Sequence, residues 1–188
     1  MHIHVGACNW QHNAWSGSFY PEDLPEEWRL TYYANEFHTV LVPVSVAKNL
    51  NKEKIQEFCD DVGDEFKFFY AVDDKLGSTA FSNVALTEID CSFVAVNFTQ
   101  SKTKMIFNDV VIEQAQVIRA FEMSEEISVL RVTSEDVINP KAGRQLIEKV
   151  CADFNQHETV YLFLDGHLNN IESLKMISSI IELMGVSS

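Results

Sequence analysis

Short runs rich in β-branched and aromatic residues alternate along this chain with stretches whose apolar residues recur at helical spacing. Alternation of this kind is typical of repeated βα units around a largely parallel sheet, so the sequence predicts an α/β fold. The runs that predict strands are residues 2–7, 39–44, 67–72, 92–98, 128–133 and 159–165, with 105–107 as a short addition.

Capping residues and apolar spacing define the predicted helices. Asn139 followed by Pro140 is typical of an N-cap and a first helical position, because proline has no N–H to lose there. Asn170 and Gly185 are placed to begin and end the last helix. Residues 111–121 also have a helical period, although a less regular one. The apolar residues that recur at i, i+3, i+4 and i+7 are Ile55, Phe58, Cys59 and Val62 in one helix and Ile147, Val150, Cys151 and Phe154 in another.

The chain has 188 residues, which is close to the size of one domain. No repeat, low-complexity tract or Pro/Gly/Ser-rich linker interrupts the series, so we expect a single domain over residues 1–188. The formal net charge is −14. An anionic surface repels phosphate backbones and anionic headgroups, so the composition argues against binding to nucleic acid or to a membrane surface.

The cysteines are scattered, with no Cys-x-x-Cys pair, which argues against a disulfide framework and a zinc ribbon. They are Cys8, Cys59, Cys91 and Cys151. We therefore expect reduced thiols, no metal site and no cofactor. The first ten residues contain no basic leader and no long apolar run, and no stretch approaches the ~18 apolar residues of a membrane span. The sequence predicts a cytoplasmic protein.

One stretch of the chain resembles a known family. The motif runs from Gly6-Ala7-Cys8-Asn9-Trp10 through Trp15, Phe19-Tyr20-Pro21 and Leu24 to Tyr33-Ala34, Phe37 and Thr39-Val40. In the spacing of its aromatic residues it is similar to the YecE-like family, a domain of unknown function (domain 72). The resemblance is close over about the first 40 residues and diffuse afterwards, with weaker matches at residues 66–72 and 160–164.

The resemblance implies a TIM-type (β/α) barrel, but such barrels typically need ~250 residues. The length therefore predicts a shortened or incomplete barrel of about six to seven largely parallel strands. We expect one or two βα units to be missing or reduced between Leu76 and Ser128. Because an incomplete barrel leaves strand edges unpaired, the sequence also predicts a homodimer across the open edge.

Members of this family commonly place polar groups at the end of the second strand, where barrel active sites are built. Here the matching positions hold Leu41, Pro43 and Ala47, and a family lysine near the end of the third strand aligns with Ala71. None of these side chains can transfer a proton. Among the matched positions after the second strand, the remaining polar residues are Ser45 and Lys48.

Other residues with reactive side chains follow two of the predicted strands. Cys8 and His12 follow the first strand, and a thiol beside an imidazole could form a nucleophile pair. Asp165 and His167 follow the last, where a carboxylate and an imidazole could act as base and acid, or simply as a turn. His2 and His4 share a strand face, but they begin their strand and so lie at the wrong end for a barrel metal site.

Two functions remain open. The first is a catalytically reduced family member that binds a small molecule or a protein partner at the carboxyl rim of the strands. The second is an acid–base or metal-assisted hydrolase whose site is rebuilt from Cys8, His12, Asp165 and His167. The ligand-binding candidates for the first function are Asn9, Trp10, Trp15, Tyr20, Ser45 and Lys48.

Overall fold

The computed structural model describes residues 1–72, 93–99, 104–107, 110–120, 127–154 and 159–186. Its strands are β1 (His2–Cys8), β2 (Thr39–Val42), β3 (Lys67–Val72), β4 (Phe93–Asn97), β5 (Lys104–Phe107), β6 (Val110–Gln114), β7 (Gln116–Ala120), β8 (Ile127–Ser134) and β9 (Thr159–Gly166). Its α-helices are α1 (Arg29–Ala34), α2 (Val44–Ala47), α3 (Lys52–Asp60), α4 (Pro140–Asp153) and α5 (Ile171–Leu183). Single 3₁₀ turns occupy Asn13–Trp15 and Glu26–Trp28.

All these strands belong to one sheet, in the order β5-β6-β8-β9-β1-β2-β3-β4-β7. The central run from β8 to β4 is parallel throughout, and it contains six strands. The predicted α/β class and the shortened barrel of about six to seven largely parallel strands are therefore confirmed.

Residues 110–120 connect the two sides of the parallel part of the sheet. Strands β6 and β7 are consecutive parts of one stretch, residues 110–120, with Ala115 between them. The first part pairs antiparallel with β8 and the second pairs antiparallel with β4. At the junction the Ala115 amide donates to the Val129 carbonyl at 2.8 Å. This one stretch therefore spans the space between β4 and β8 and makes the barrel nearly closed.

The helix predicted over residues 111–121 is wrong, because residues 110–120 form two strands. Burial alternates with a period of two along β6, where Val110 and Ile112 are buried. An apolar run of this length is compatible with either structure, and long-range pairing with neighbouring strands decides in favour of the strand. In the predicted gap after Leu76, antiparallel strands thus connect β4 to β8; residues 73–92 lie outside the described residues.

The sheet separates two apolar cores. The larger core lies between the outer face of the sheet and the helices, and it contains Val40, Phe68 and Leu162. The smaller core fills the barrel interior, where Leu41, Phe69, Ala71, Val94, Val96, Phe98, Ala115, Val129, Tyr161 and Phe163 meet. Neighbouring strand positions point alternately to one core or the other, as the pleat requires.

The local signals at the last two helices are confirmed. The side chain of Asn139 accepts a hydrogen bond from the Ala142 amide at 3.0 Å, directly before α4. Asn170 accepts one from the Ser173 amide at 2.8 Å at the start of α5. Gly185 adopts a φ of 67°, the left-handed conformation that ends helices and favours glycine.

The expectation of four reduced thiols is wrong, because Cys59 on α3 is disulfide-bonded. Cys8 and Cys151 are free thiols. Widely spaced cysteines are compatible with a disulfide whenever the fold brings them together, which spacing along a sequence cannot reveal. Among the helices that the structure describes, none has the length and apolar character needed to cross a membrane.

Candidate functional site

Polar and reactive side chains converge inside the barrel toward the carboxyl ends of the parallel strands. We call this region the carboxyl mouth and define it by Cys8, Phe98, Glu113, Arg131 and Asp165. Strands β1 and β9 are neighbours in parallel register, with Ala7 beside Leu164, so the next residues, Cys8 and Asp165, leave their strands together. Arg131 of β8 lies opposite Glu113 of β6.

Arg131 and Glu113 form an ion pair inside the barrel. Nε and Nη2 of Arg131 donate to the same Glu113 oxygen, Oε2, at 3.1 and 2.6 Å. The guanidinium carbon lies 4.5 Å from the centre of the Phe98 ring, a cation–π contact. The two charged side chains are 29% and 20% exposed, so they are shielded from bulk water but remain within its reach.

The Cys8 thiol is held in its protonated form. Burial and, to a smaller extent, the neighbouring Asp165 carboxylate raise the pKa of Cys8 to about 12, and the Arg131 guanidinium opposes the shift. At neutral pH the group is therefore a thiol that shares a hydrogen bond with Asp165. A thiolate is the nucleophilic form of cysteine, so this environment is unfavourable for nucleophilic catalysis.

His12 is positioned by a residue from the other end of the chain. Asn169 Nδ2 lies 2.9 Å from His12 Nε2 and donates a hydrogen bond to the Cys8 carbonyl oxygen. The tautomer of His12 decides whether its Nε2 accepts a hydrogen bond from Asn169 or donates one to the Cys8 carbonyl. The imidazole faces the Cys8 backbone, with Nε2 3.0 Å from its carbonyl oxygen.

Asp165 and His167 form part of a turn. Asp165 Oδ1 accepts a hydrogen bond from the amide of Gly166 at 2.7 Å, and Gly166 has a φ of 63°. The side chain of His167 is exposed, and its carbonyl accepts a hydrogen bond from Asn170 Nδ2 at 2.7 Å. The local geometry supports the turn interpretation of this segment.

The aromatic residues of the N-terminal motif are packed in the larger core. Trp10, Trp15 and Tyr20 are 1%, 3% and 1% exposed. The Tyr20 hydroxyl donates to the Trp10 carbonyl at 2.8 Å. Asn9, which begins this segment, has a φ of 73°, and its side chain accepts a hydrogen bond from the Trp10 amide at 2.9 Å. These contacts hold the β1 turn in place.

A buried hydroxyl also joins β1 to β2. Tyr33, which is 0% exposed, accepts a hydrogen bond from the Ala7 amide at 2.9 Å and donates one to the Thr39 carbonyl, also at 2.9 Å. The tyrosine of the motif thus connects two strands that pair directly at Ala7 and Cys8.

The apolar residues at positions where the resemblance implies polar groups lie in the barrel interior or in and beside α2. Leu41 and Ala71 lie in the interior core at 1% and 6% exposure. Pro43 precedes α2, and Ala47 packs in the larger core. Of the remaining polar candidates, Ser45 is exposed on α2, and Lys48 is exposed where that helix ends.

No group of three metal-ligating side chains forms within the described ranges. His4 instead stacks on Tyr161 at the amino end of the barrel, with ring centres 5.0 Å apart and planes at 22°. Burial lowers the pKa of His4, and the nearby His2, His38 and Lys67 lower it further.

Sequence reasoning missed Arg131, Glu113 and Phe98. One signal was available: Arg131 interrupts the apolar strand 128–133 at a position that shares a face with Val129. A charged residue on the buried face of a strand usually has a partner. That partner, Glu113, was hidden in a segment expected to be helical.

Comparisons with known proteins agree with this architecture. Residues 4–80 match the family model described as a protein of unknown function, DUF72. The chain is also similar in structure to a DUF72 family protein from Thermotoga maritima, with a TM-score of 0.57 and 8% sequence identity; the match covers 98% of this chain and 100% of that one. At this identity the likeness shows the fold alone. No curated protein matches the chain.

Proposed function

We propose that this chain, a DUF72 family member by its match over residues 4–80, binds a small polar molecule at its carboxyl mouth and catalyses no reaction there. The observation that carries the proposal is the ion pair of Arg131 and Glu113 inside the barrel. Burying two charges is costly, and well-packed apolar residues often stabilise a fold as well or better. A function in binding gives a reason for the pair.

The geometry of the pair favours a ligand with a hydrogen-bond acceptor such as a carboxylate or phosphate. Glu113 engages two nitrogens of Arg131 through a single oxygen, so the five-donor guanidinium fork is only partly used. Among the described residues, Nη1 of Arg131 makes no hydrogen bond. The Phe98 ring supports the guanidinium plane, which keeps the remaining donors in a fixed direction.

Other groups at the same end of the barrel suit recognition of a polar molecule. The Cys8 thiol is neutral and can donate a weak hydrogen bond, and Asp165 supplies a carboxylate. Ser45 and Lys48 follow the carboxyl end of β2 and are exposed. Asn9, Trp10, Trp15 and Tyr20 contribute by fixing the β1 turn.

The alternative is a hydrolase that uses Cys8, His12, Asp165 and His167. It is less well supported, because a thiol with a pKa of about 12 is a poor nucleophile and His12 faces a backbone carbonyl. The side chain of His167 is exposed to solvent. No specific observation favours this function over binding.

Thermal shift with small anions tests the proposal. Succinate and inorganic phosphate at millimolar concentration should raise the Tm of the wild-type protein, since a ligand of the folded state stabilises it by mass action. Arg131→Met should abolish that rise. Arg144→Met is the matched control, because Arg144 forms an exposed ion pair with Glu148 on α4 and is not among the residues of the mouth.

Two results would count against binding at the mouth. One is an equal Tm rise in Arg131→Met and Arg144→Met, which would indicate a general salt effect. The other is no rise with any anion in wild-type protein while Arg131→Met is as stable as the wild type or more so. The pair would then be a structural feature only.

A further inference from the structure

Trp28 is the single exposed tryptophan of this protein. It is 64% exposed, whereas Trp10 and Trp15 are 1% and 3% exposed. It ends the 3₁₀ turn before α1. Aromatic residues left on a surface are enriched at sites of protein recognition, because they supply a large apolar area at little entropic cost.

Two cavities that share lining residues lie at this surface, and we call the two together the groove. The first, of about 440 Å³, is lined by Leu24, Trp28 and Tyr32 among others; the second, of about 210 Å³, is lined by Leu30 and Phe58 among others. Both cavities are lined by Glu27 and Asp61, so these carboxylates stand between them. The groove therefore has apolar walls and an acidic ridge.

The groove carries an excess of negative charge. Its carboxylates are Glu26, Glu27, Glu57 and Asp61. Among the described residues, Lys54 is the one cation lining the two cavities, and its Nζ is paired with Glu57 at 2.7 Å. Burial raises the pKa of Asp61; Glu57 and Asp60 also raise it, and Lys54 opposes the shift only in part. An incoming cation would relieve this repulsion.

We propose that this acidic groove docks a short basic peptide segment, with an arginine or lysine over the Trp28 ring and further basic residues on Glu27 and Asp61. Charge complementarity selects this occupant. A second copy of the chain, with a net charge of −14, would be repelled, and so would a nucleic acid. A guanidinium or ammonium group over an indole face gains a cation–π interaction, for which tryptophan is the best partner.

The position of Trp28 gives the test a built-in probe. Since the other two tryptophans are buried, changes in the exposed component of tryptophan emission report on Trp28. Titration with hexa-arginine at low ionic strength should shift and quench this component, and hexa-glutamate should leave it unchanged. Binding should weaken steeply with added salt.

Charge-matched variants separate the groove from the general attraction of an anionic protein. The double variant Glu27→Gln, Asp61→Asn should bind hexa-arginine at least about tenfold more weakly than wild type. The control, Glu135→Gln with Asp136→Asn, removes the same charge from an exposed loop after β8 and should bind nearly as wild type does. Trp28→Ala should also weaken binding, measured by calorimetry because the optical probe is gone.

Circular dichroism melting establishes that each variant is folded before its affinity is compared. An equal loss of affinity in the groove variant and the loop variant would overturn the proposal, because binding would then follow net charge alone. Wild-type affinity in Trp28→Ala would overturn the role of the indole. Hexa-arginine is not expected to displace anions from the carboxyl mouth. The peptide titration and the thermal-shift experiment with Arg131→Met can therefore fail independently.

Discussion

Replacing Tyr33 by phenylalanine is the sharpest test of how the N-terminal motif holds the barrel together. The substitution keeps the ring and removes one oxygen, which accepts from the Ala7 amide and donates to the Thr39 carbonyl. Both backbone groups are buried, and no water can replace the hydroxyl without opening the core. An unsatisfied buried polar group costs about 1–3 kcal/mol and two such groups are left, so Tyr33→Phe should destabilise the fold by about 2–6 kcal/mol.

Denaturant unfolding monitored by circular dichroism measures this loss. For a chain of this length each kcal/mol lowers Tm by about 2–4 °C, so thermal melting should show a fall of roughly 4–24 °C. Tyr32→Phe is the matched control: Tyr32 lies beside Tyr33 on α1, is only partly buried and makes no hydrogen bond through its hydroxyl among the described residues. Equal stability of the two variants would refute the view that the Tyr33 hydroxyl bridges β1 and β2.

Three further outcomes are expected. Gly6→Ala should prevent folding or lower Tm severely, because its Cβ would lie 2.4 Å from the Thr39 carbonyl oxygen, whereas Gly63→Ala, with no atom within 4 Å of the added Cβ, should melt like wild type. Iodoacetamide at pH 8 should label Cys151 before Cys8 in native protein. The free energy of unfolding should fall between pH 9 and about 12, because Cys8 ionises there only in the unfolded chain. If the free energy of unfolding of a Cys8→Ala variant falls equally steeply over this pH range, the reasoning is contradicted. Light scattering should give a dimer mass if the edge strand β5 pairs with a second copy, and a strict monomer would remove that prediction.

Local features of the fold were predictable because they depend on neighbouring residues. A cap such as Asn139 and a helix-ending glycine such as Gly185 act within a few residues, and the apolar strands are short enough to identify from composition. The β6 and β7 strands were not predictable in this way. Their apolar pattern is compatible with a helix or a strand. The pairing of β6 with β8 and of β7 with β4 decides the structure.

The candidate site was likewise predictable only where its residues follow from local sequence. Cys8 and Asp165 were found because each directly ends a predicted strand, and parallel strands end at one edge of a barrel. Arg131 and Glu113 were not found as a pair, because their proximity follows from an antiparallel register that no local pattern specifies. Asn169 and His12 were likewise separated by most of the chain.

The region that closes the barrel also supplies its buried charge. The family match ends at residue 80, and it contains the turn after β1 and the aromatic packing that fixes it. Glu113 belongs to β6, part of the stretch that joins β4 to β8, and Arg131 belongs to the strand with which β6 pairs. The charged pair thus depends on the antiparallel closure. Replacing β6 and β7 by a βα unit between β4 and β8 would take away Glu113, the partner of Arg131. The shortened architecture and the proposed anion site are therefore one structural feature.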